Sequence, residues 1–308
     1  MAQKVLVTGG CGFIGSHIVD GLLQKGYQVA VVDNLLTGKK ENIKGKPVKF
    51  FECDILDERL FTAFEDFKPD YVIHQAAQVS VSESIADIVK DADINIKGTL
   101  QVIEASRKQK VKRVVFASSA AVYGNPDYLP IDLDHPTLPM SPYGLSKLTV
   151  EKYLELTKSL FDLDYTILRY SNVYGPRQSV EGEGGVIAIF SDLISKNINP
   201  TIHGDGEQTR DFIYVSDVAK ANINALQANK TGTFNVSSSQ AITINDLFFT
   251  LINFSGQKLQ PNYTEERKGD IRSSVLCNKL TQQELGWEPS VSLEVGLKAT
   301  IEYFKSVK

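Results

Sequence analysis

The chain has 308 residues, 42% of them hydrophobic, with a net charge near −4 and an isoelectric point of about 5.7. That supports one large or two modest domains with a real core, and the acidic balance argues against a nucleic-acid partner. No apolar run approaches the ~18 residues of a membrane span, no targeting segment is visible, and Cys11, Cys53 and Cys277 with four scattered histidines read as free thiols in a reducing, cytoplasmic setting without a metal site.

Lys4 to Thr8 is a short apolar strand, followed by a glycine turn and a helix from Phe13 to about Lys25. Val29 to Val32 is a second buried strand, ending at Asp33. Val48 to Glu52, Tyr71 to His74 and Arg113 to Ala117 are the third, fourth and fifth. Long helices are predicted over Ser84 to Lys108 and Pro142 to Leu160, and Tyr165 to Arg169 is a sixth strand. Short β-branched strands alternating with helices imply an α/β fold, a doubly wound parallel sheet covered on both faces. After Tyr170 the segments shorten and Gly and Pro become frequent, as at Gly175-Pro176 and Gly204 to Gly206. A smaller C-terminal α/β unit is expected there, with Phe234 to Val236 returning to the first sheet. The expected division is 1–170, completed by about 213–238, against 171–212 and 239–308.

Gly9, Gly12 and Gly15 fall between a strand and a helix. Glycine lets the backbone approach a pyrophosphate, and the following helix, opened by Phe13 and Ile14, turns its positive end toward the phosphates. Asp33 closes the next strand, where a carboxylate can bind ribose hydroxyls and repel a 2′-phosphate. NAD is therefore expected rather than NADP. Asp54 either reaches the adenine amino group or caps a helix starting near Asp57. Gln75, Ala76 and Ala77 end the fourth strand, where small residues let a cofactor pass close. Asn95 interrupts a helical pattern, which hints at a polar tie, although a solvent-facing Asn is the plainer reading.

Tyr143 and Lys147 stand at i and i+4 of one helix and so share a face. A tyrosine with a pKa near 10 is only about a thousandth ionised at pH 7, so a tyrosine base needs ~4 kcal/mol of help. A nearby ammonium and a positive nicotinamide ring both favour the phenolate. Ser119, at the end of the fifth strand, can hydrogen-bond the reacting hydroxyl.

These motifs, with DNLLTG, HQAAQVSV, SSAAVYG, RYSNVYGPRQ, RDFIYVSDVA and RKGD, resemble the extended short-chain dehydrogenases/reductases. The similarity is to their nucleotide-sugar branch, that of the UDP-glucose and UDP-N-acetylglucosamine 4-epimerases, and it covers essentially the whole chain. The resemblance implies a Rossmann-like cofactor domain and a substrate-binding C-terminal domain. It implies Ser119, Tyr143 and Lys147 as the catalytic trio. Cofactor contacts would come from Gly9, Gly12, Phe13, Ile14, Gly15, Asp33, Asn34, Asp54, Ile55, Gln75, Ala76, Ala77, Asn95 and Tyr170. Asn172 and Arg210 would hold the diphosphate, and Arg267 and Asp270 a phosphate and the nucleotide ribose. Arginine suits that task because it is always charged and binds in a fork. A homodimer through the two long helices is also implied.

Related dehydratases carry Asp-Glu, and uronate decarboxylases a Glu, where this chain has Ala120-Ala121. Alanine cannot act as the acid that eliminates water, so 4-epimerisation of a UDP-hexose through a 4-keto intermediate is expected. A UDP-uronate decarboxylase or a 4-keto-sugar reductase are the alternatives. A nucleotide sensor has no need of the trio. The position of Ser274 is bulky in relatives restricted to plain hexoses and small in those accepting N-acetyl sugars, so both kinds are expected to fit.

Overall fold

The computed structural model describes residues 2–180, 184–266 and 271–307. Its centre is a seven-stranded, all-parallel sheet. The strands are β1 (Lys4–Thr8), β2 (Gln28–Asp33), β3 (Val48–Glu52), β4 (Tyr71–His74), β5 (Arg113–Ser119), β6 (Asp164–Tyr170) and β10 (Gly232–Val236), in the order β10-β6-β5-β4-β1-β2-β3. Val5 pairs with Val29 on one side and Tyr71 on the other. The chain thus leaves β1 first toward β2 and later toward β4, and a crevice opens above their carboxyl ends. Ligands of open α/β sheets bind at such a switch point.

The central strands are largely apolar because helices cover both faces, whereas the edge strand β3 carries exposed Lys49 and Glu52. Val5, Val7, Val29, Val31 and Ile73 face α1 (Phe13–Gln24) and α8 (Val215–Ala225). Leu6, Ala30, Val32, Val72 and Phe116 face α2 (Arg59–Phe67), α5 (Thr99–Lys108) and α6 (Pro142–Phe161). The alternation along each strand sends successive side chains to opposite cores.

The smaller unit has its own core, built on Tyr174, Phe190, Phe248, Leu251 and Leu297. Around it lie β7 (Asn172–Tyr174), α7 (Val186–Ser195), β8 (Thr201–His203), β9 (Thr209–Tyr214), β11 (Ala241–Thr243), α9 (Ile244–Ser255), β12 (Asn262–Thr264) and α11 (Leu293–Ser306). Strands pair as β11-β9-β7 and β12-β8. Between α9 and α11, α10 (Lys279–Leu285) leaves this unit. Leu285 and Trp287 join the first core, and the Trp287 indole donates to the Asp217 carbonyl at 2.8 Å.

The helix expected over Ser84 to Lys108 is instead several pieces. They are α3 (Val81–Ala86), α4 (Ile88–Ala92), a π-helical turn over Asp93–Gly98, and α5. Local capping explains the breaks. The Ser80 hydroxyl accepts from the Glu83 amide, and Asp87, at φ −142°, accepts from the Lys90 amide at 2.9 Å. Among the described residues no helix is long and apolar enough to cross a membrane.

Candidate active site

The glycine turn between β1 and α1 is held against the end of β4. Gly9 has φ +68°, and a Cβ there would lie 2.7 Å from the Ala76 amide nitrogen. A Cβ on Gly15 would lie 2.1 Å from the Gly9 carbonyl oxygen, so neither position tolerates a side chain without moving backbone. Gly12 caps α1 with no side-chain acceptor, and the helix has no acidic residue in its first turn. The opening amides, at Phe13 and Ile14, therefore face the crevice as a ready anion site.

Asp33 is buried at the end of β2. One carboxylate oxygen accepts from the Cys11 amide at 2.9 Å and the other from the Leu35 amide at 2.8 Å. Burial raises its pKa, and these two amides oppose the rise. Each oxygen keeps a further lone pair that a ribose hydroxyl could meet. A Cβ on Gly38 would come within 2.8 Å of the same carboxylate, so this loop leaves little room beside it for a 2′-phosphate. The glycine cradle, the uncapped helix and Asp33 fit a dinucleotide without that phosphate, as in NAD.

Asn34 donates to Asp54 at 2.6 Å, and Asp54 also accepts from the Leu56 amide at 2.8 Å. Asp54 thus shapes the turn after β3. It does not cap α2, which starts at Arg59 after Glu58. Ile55 is buried against Gly98 of the π turn. Gln75 donates to the Tyr170 hydroxyl at 3.0 Å and to Asn222 at 3.1 Å. Burial pushes the Tyr170 phenol well up, so it stays neutral. The Ala76 amide donates to Thr8 at 3.3 Å, and Ala77 follows, half-buried. Asn95 is buried and clamps the Gln78 backbone, donating to its carbonyl and accepting from its amide, both at 2.9 Å. The polar tie is the correct reading of Asn95, because its neighbour across the π turn is main chain and not water.

Ser119 ends β5, opposite Tyr170 of β6. Its hydroxyl oxygen accepts from the Ala121 amide at 3.1 Å, which leaves the O–H as donor. Tyr143 opens α6, whose N-cap Ser141 accepts from the Gly144 amide. One turn on, the Lys147 ammonium lies 5.7 Å from the centre of the Tyr143 ring and 5.0 Å from that of Phe116, and donates to the Ala117 carbonyl at 3.0 Å. Burial pulls the Lys147 pKa down to about 8, opposed by Asp91 and then Glu151. At neutral pH the ammonium is still mostly charged, and it favours the phenolate beside it.

Sequence reasoning missed the polar groups behind this pair. His74 lies between the hydroxyls of Thr8 at 2.6 Å and Thr99 at 2.9 Å, and burial, with Lys147, brings its pKa to about 3. Behind α6, Arg169 grips Glu151 at 3.0 and 2.6 Å and donates to the Tyr123 hydroxyl at 2.9 Å. The available signal was a polar residue inside each apolar pattern: the histidine of YVIH and the arginine of TILRY.

In the smaller unit a cavity of about 340 Å³ is lined by Asn172, Gln178, Phe190, Gln208, Arg210 and Phe212, among others. Its lining does not include Ser119, Tyr143 or Lys147, so the chemical centre lies outside it. Asn172 donates to the Asp211 carbonyl at 3.0 Å, and Arg210 donates to the Thr209 carbonyl at 2.9 Å. The Ser274 amide donates to that same carbonyl at 3.3 Å, which brings Ser274 beside the strand of Arg210. Arg267 and Asp270 lie outside the described residues.

The family model described as NAD dependent epimerase/dehydratase matches residues 5–237. A solved UDP-glucose 4-epimerase from Thermotoga maritima, with UDP-glucose, superposes with a TM-score of 0.96 at 44% identity over 99% of each chain. A UDP-N-acetylglucosamine 4-epimerase from Methanobrevibacter ruminantium, in complex with UDP-N-acetylmuramic acid, gives 0.96 at 37% identity over 100% of this chain and 99% of that one. A Thermus thermophilus UDP-glucose 4-epimerase in complex with NAD gives 0.94 at 40% identity over 99% of this chain and 100% of that one. With the glycine cradle, Asp33 and the Tyr143–Lys147 pair on one switch-point crevice, and with matches of this extent, the chain belongs to the NAD dependent epimerase/dehydratase family.

Proposed function

We propose that the protein is an NAD-dependent 4-epimerase of UDP-hexoses, taking the glucose and galactose forms and their N-acetylated counterparts. The observation that carries the reading is the buried Lys147 ammonium beside the Tyr143 ring, at the mouth of a cradle that fits NAD. What NAD brings when bound is reversible hydride exchange with carbon 4 of the sugar. Tyr143 takes the proton from the hydroxyl on that carbon and later returns it. Lys147 stabilises the phenolate meanwhile, and the Ser119 hydroxyl donates to the same sugar oxygen. The sheet unit holds NAD, and the smaller unit holds the sugar nucleotide. Asn172 and Arg210, with Arg267 and Asp270, anchor the diphosphate and ribose, and the cavity that Asn172 and Arg210 line takes the nucleoside. Strong anchoring there leaves the keto sugar free to turn and present its other face. Ser274 keeps the sugar pocket wide.

The test is an NMR assay of purified protein with UDP-glucose or UDP-N-acetylglucosamine and no added cofactor. The galacto-epimer is expected from each. No epimer from either sugar, even after NAD is supplied, rules the reading out. Tyr143→Phe should keep fold and cofactor while kcat falls about 10²–10⁴-fold, the usual worth of acid–base catalysis; near-normal turnover in that variant would exclude the mechanism.

The protein is further proposed to be a cytoplasmic homodimer. Ile85, Ile88 and Val89 of the α3–α4 region and Leu145, Leu156 and Leu160 of α6 are exposed, and these helices pack side by side. Exposed apolar side chains on packed helices of this kind suit an interaction site. Light scattering should give twice the 34.0 kDa chain mass; a stable monomer at micromolar concentration would refute the dimer.

A further inference from the structure

The ammonium of Lys147 is buried among few charges. His74 approaches from β4 and is neutral; Tyr143 and Glu151 lie on its own helix, and Asp91 comes from α4. Glu151 is already taken. Arg169 grips both its oxygens, and the Ser118 hydroxyl donates to one of them at 2.6 Å. The Glu151–Arg169 pair is net neutral, so it offers Lys147 little net field. Asp91 is different. It is 1% exposed, and its hydrogen-bond partners are the Asn95 amide at 2.9 Å and the Gln78 amide at 3.2 Å. Both are neutral, and α4, which ends beside Asp91, packs against α6, which carries Lys147. A buried carboxylate among neutral donors, and a buried ammonium on a single carbonyl, are each costly alone. Set on the two sides of the α4–α6 contact, each offsets the other.

We propose that Asp91 is the counter-charge of Lys147, a positioning residue that keeps the ammonium charged beside Tyr143 from across the α4–α6 contact. The inference rests on Lys147 being the catalytic cation of the proposed function. Asp91 touches neither sugar nor cofactor and acts through Lys147. The opposing influence of Asp91 on the depressed Lys147 pKa has the sign this role requires.

The experiment is the pH dependence of kcat for wild type and Asp91→Asn. Loss of the counter-charge lowers the pKa of Lys147 by about one unit, the low end for an opposite charge nearby. The limb where activity falls with rising pH then moves down by that amount. Turnover at pH 8.5 should fall about tenfold, while turnover at pH 6.5 stays within about twofold. A loss that is uniform with pH, with the limb unmoved, overturns the proposal. A second arm needs no catalysis. Asp91→Asn should lower Tm in the native chain but raise it, or leave it unchanged, in a Lys147→Met background, where the carboxylate has nothing to balance. Equal Tm changes in both backgrounds overturn the pairing. Should Asp91→Asn fail to fold, Lys147→Met alone decides. Its Tm deficit against wild type should be larger at pH 7 than at pH 5, because Asp91 protonates more readily once unpaired, and a deficit independent of pH overturns the pairing. If the wild type turns over no sugar, the proposed function fails while the Tm arms still test the Asp91–Lys147 pair.

Discussion

In the proposed function Ser274 is the single side chain that decides which sugar enters. Its backbone is tied to Thr209, and its side chain is half-buried beside the strand that carries Arg210. A hydroxymethyl group leaves space that a phenol ring would fill. Under the proposed function an N-acetyl substrate fills that space and a plain hexose does not, so Ser274→Tyr should separate the two. Turnover of UDP-N-acetylglucosamine should fall at least about tenfold relative to UDP-glucose, in line with the discrimination that small changes of pocket volume give. The ratio of kcat/KM for the two substrates is the measurement, and an unchanged ratio would show that the pocket is gated elsewhere. The position of Ser274 was legible in the sequence only through the family pattern around RKGD, since a lone serine in a loop carries no signal of its own.

At the scale of elements, the strands were legible because burial on both faces makes them continuous β-branched runs, and α1 because a glycine turn introduces it. Tyr143 and Lys147 were legible because the i, i+4 spacing of α6 puts them on one face. The helix expected from Ser84 to Lys108 was not one helix. Apolar periodicity reports which residues face the core, and it continued through Asp87. The break itself is a local hydrogen-bonding event in which Asp87 caps α4. Asp91 and Gln78 escaped for a related reason, and Asn95, for which the helical pattern hinted at a polar tie, gave no sign of its partners. Each is a polar residue whose partners lie across a turn or on another helix, and only the folded chain brings them together. The same holds for Glu151 and Arg169, which the fold buries as a pair; only the arginine, inside an apolar strand, stands out in the sequence.

The whole molecule is sensitive to acid through groups the reaction does not use. His74 is fully buried between two threonine hydroxyls and has a pKa of about 3 against an ordinary 6.5. The native state therefore stays unprotonated between these values, while the unfolded chain takes up a proton. Where the unfolded state binds more protons, stability rises with pH. Stability is accordingly lost as pH falls from about 6.5 toward 3, by at most ~1.4 kcal/mol per unit for this one group. The His17 pKa is also lowered, chiefly by burial, and adds to the trend. Asp33, Asp91 and Asp211, whose carboxyls burial pushes up, act in the opposite direction, gaining stability as they protonate. The net slope thus mixes signs, and a comparison with a variant isolates the histidine. Urea unfolding of wild type and His74→Gln between pH 7 and 5 should show the variant less stable at pH 7, where it lacks the second threonine contact, yet closing the gap by about 1–2 kcal/mol at pH 5. A gap that stays constant across that range would mean that His74 is protonated in the native protein, and that the Thr8–His74–Thr99 bridge carries a charge beside Lys147.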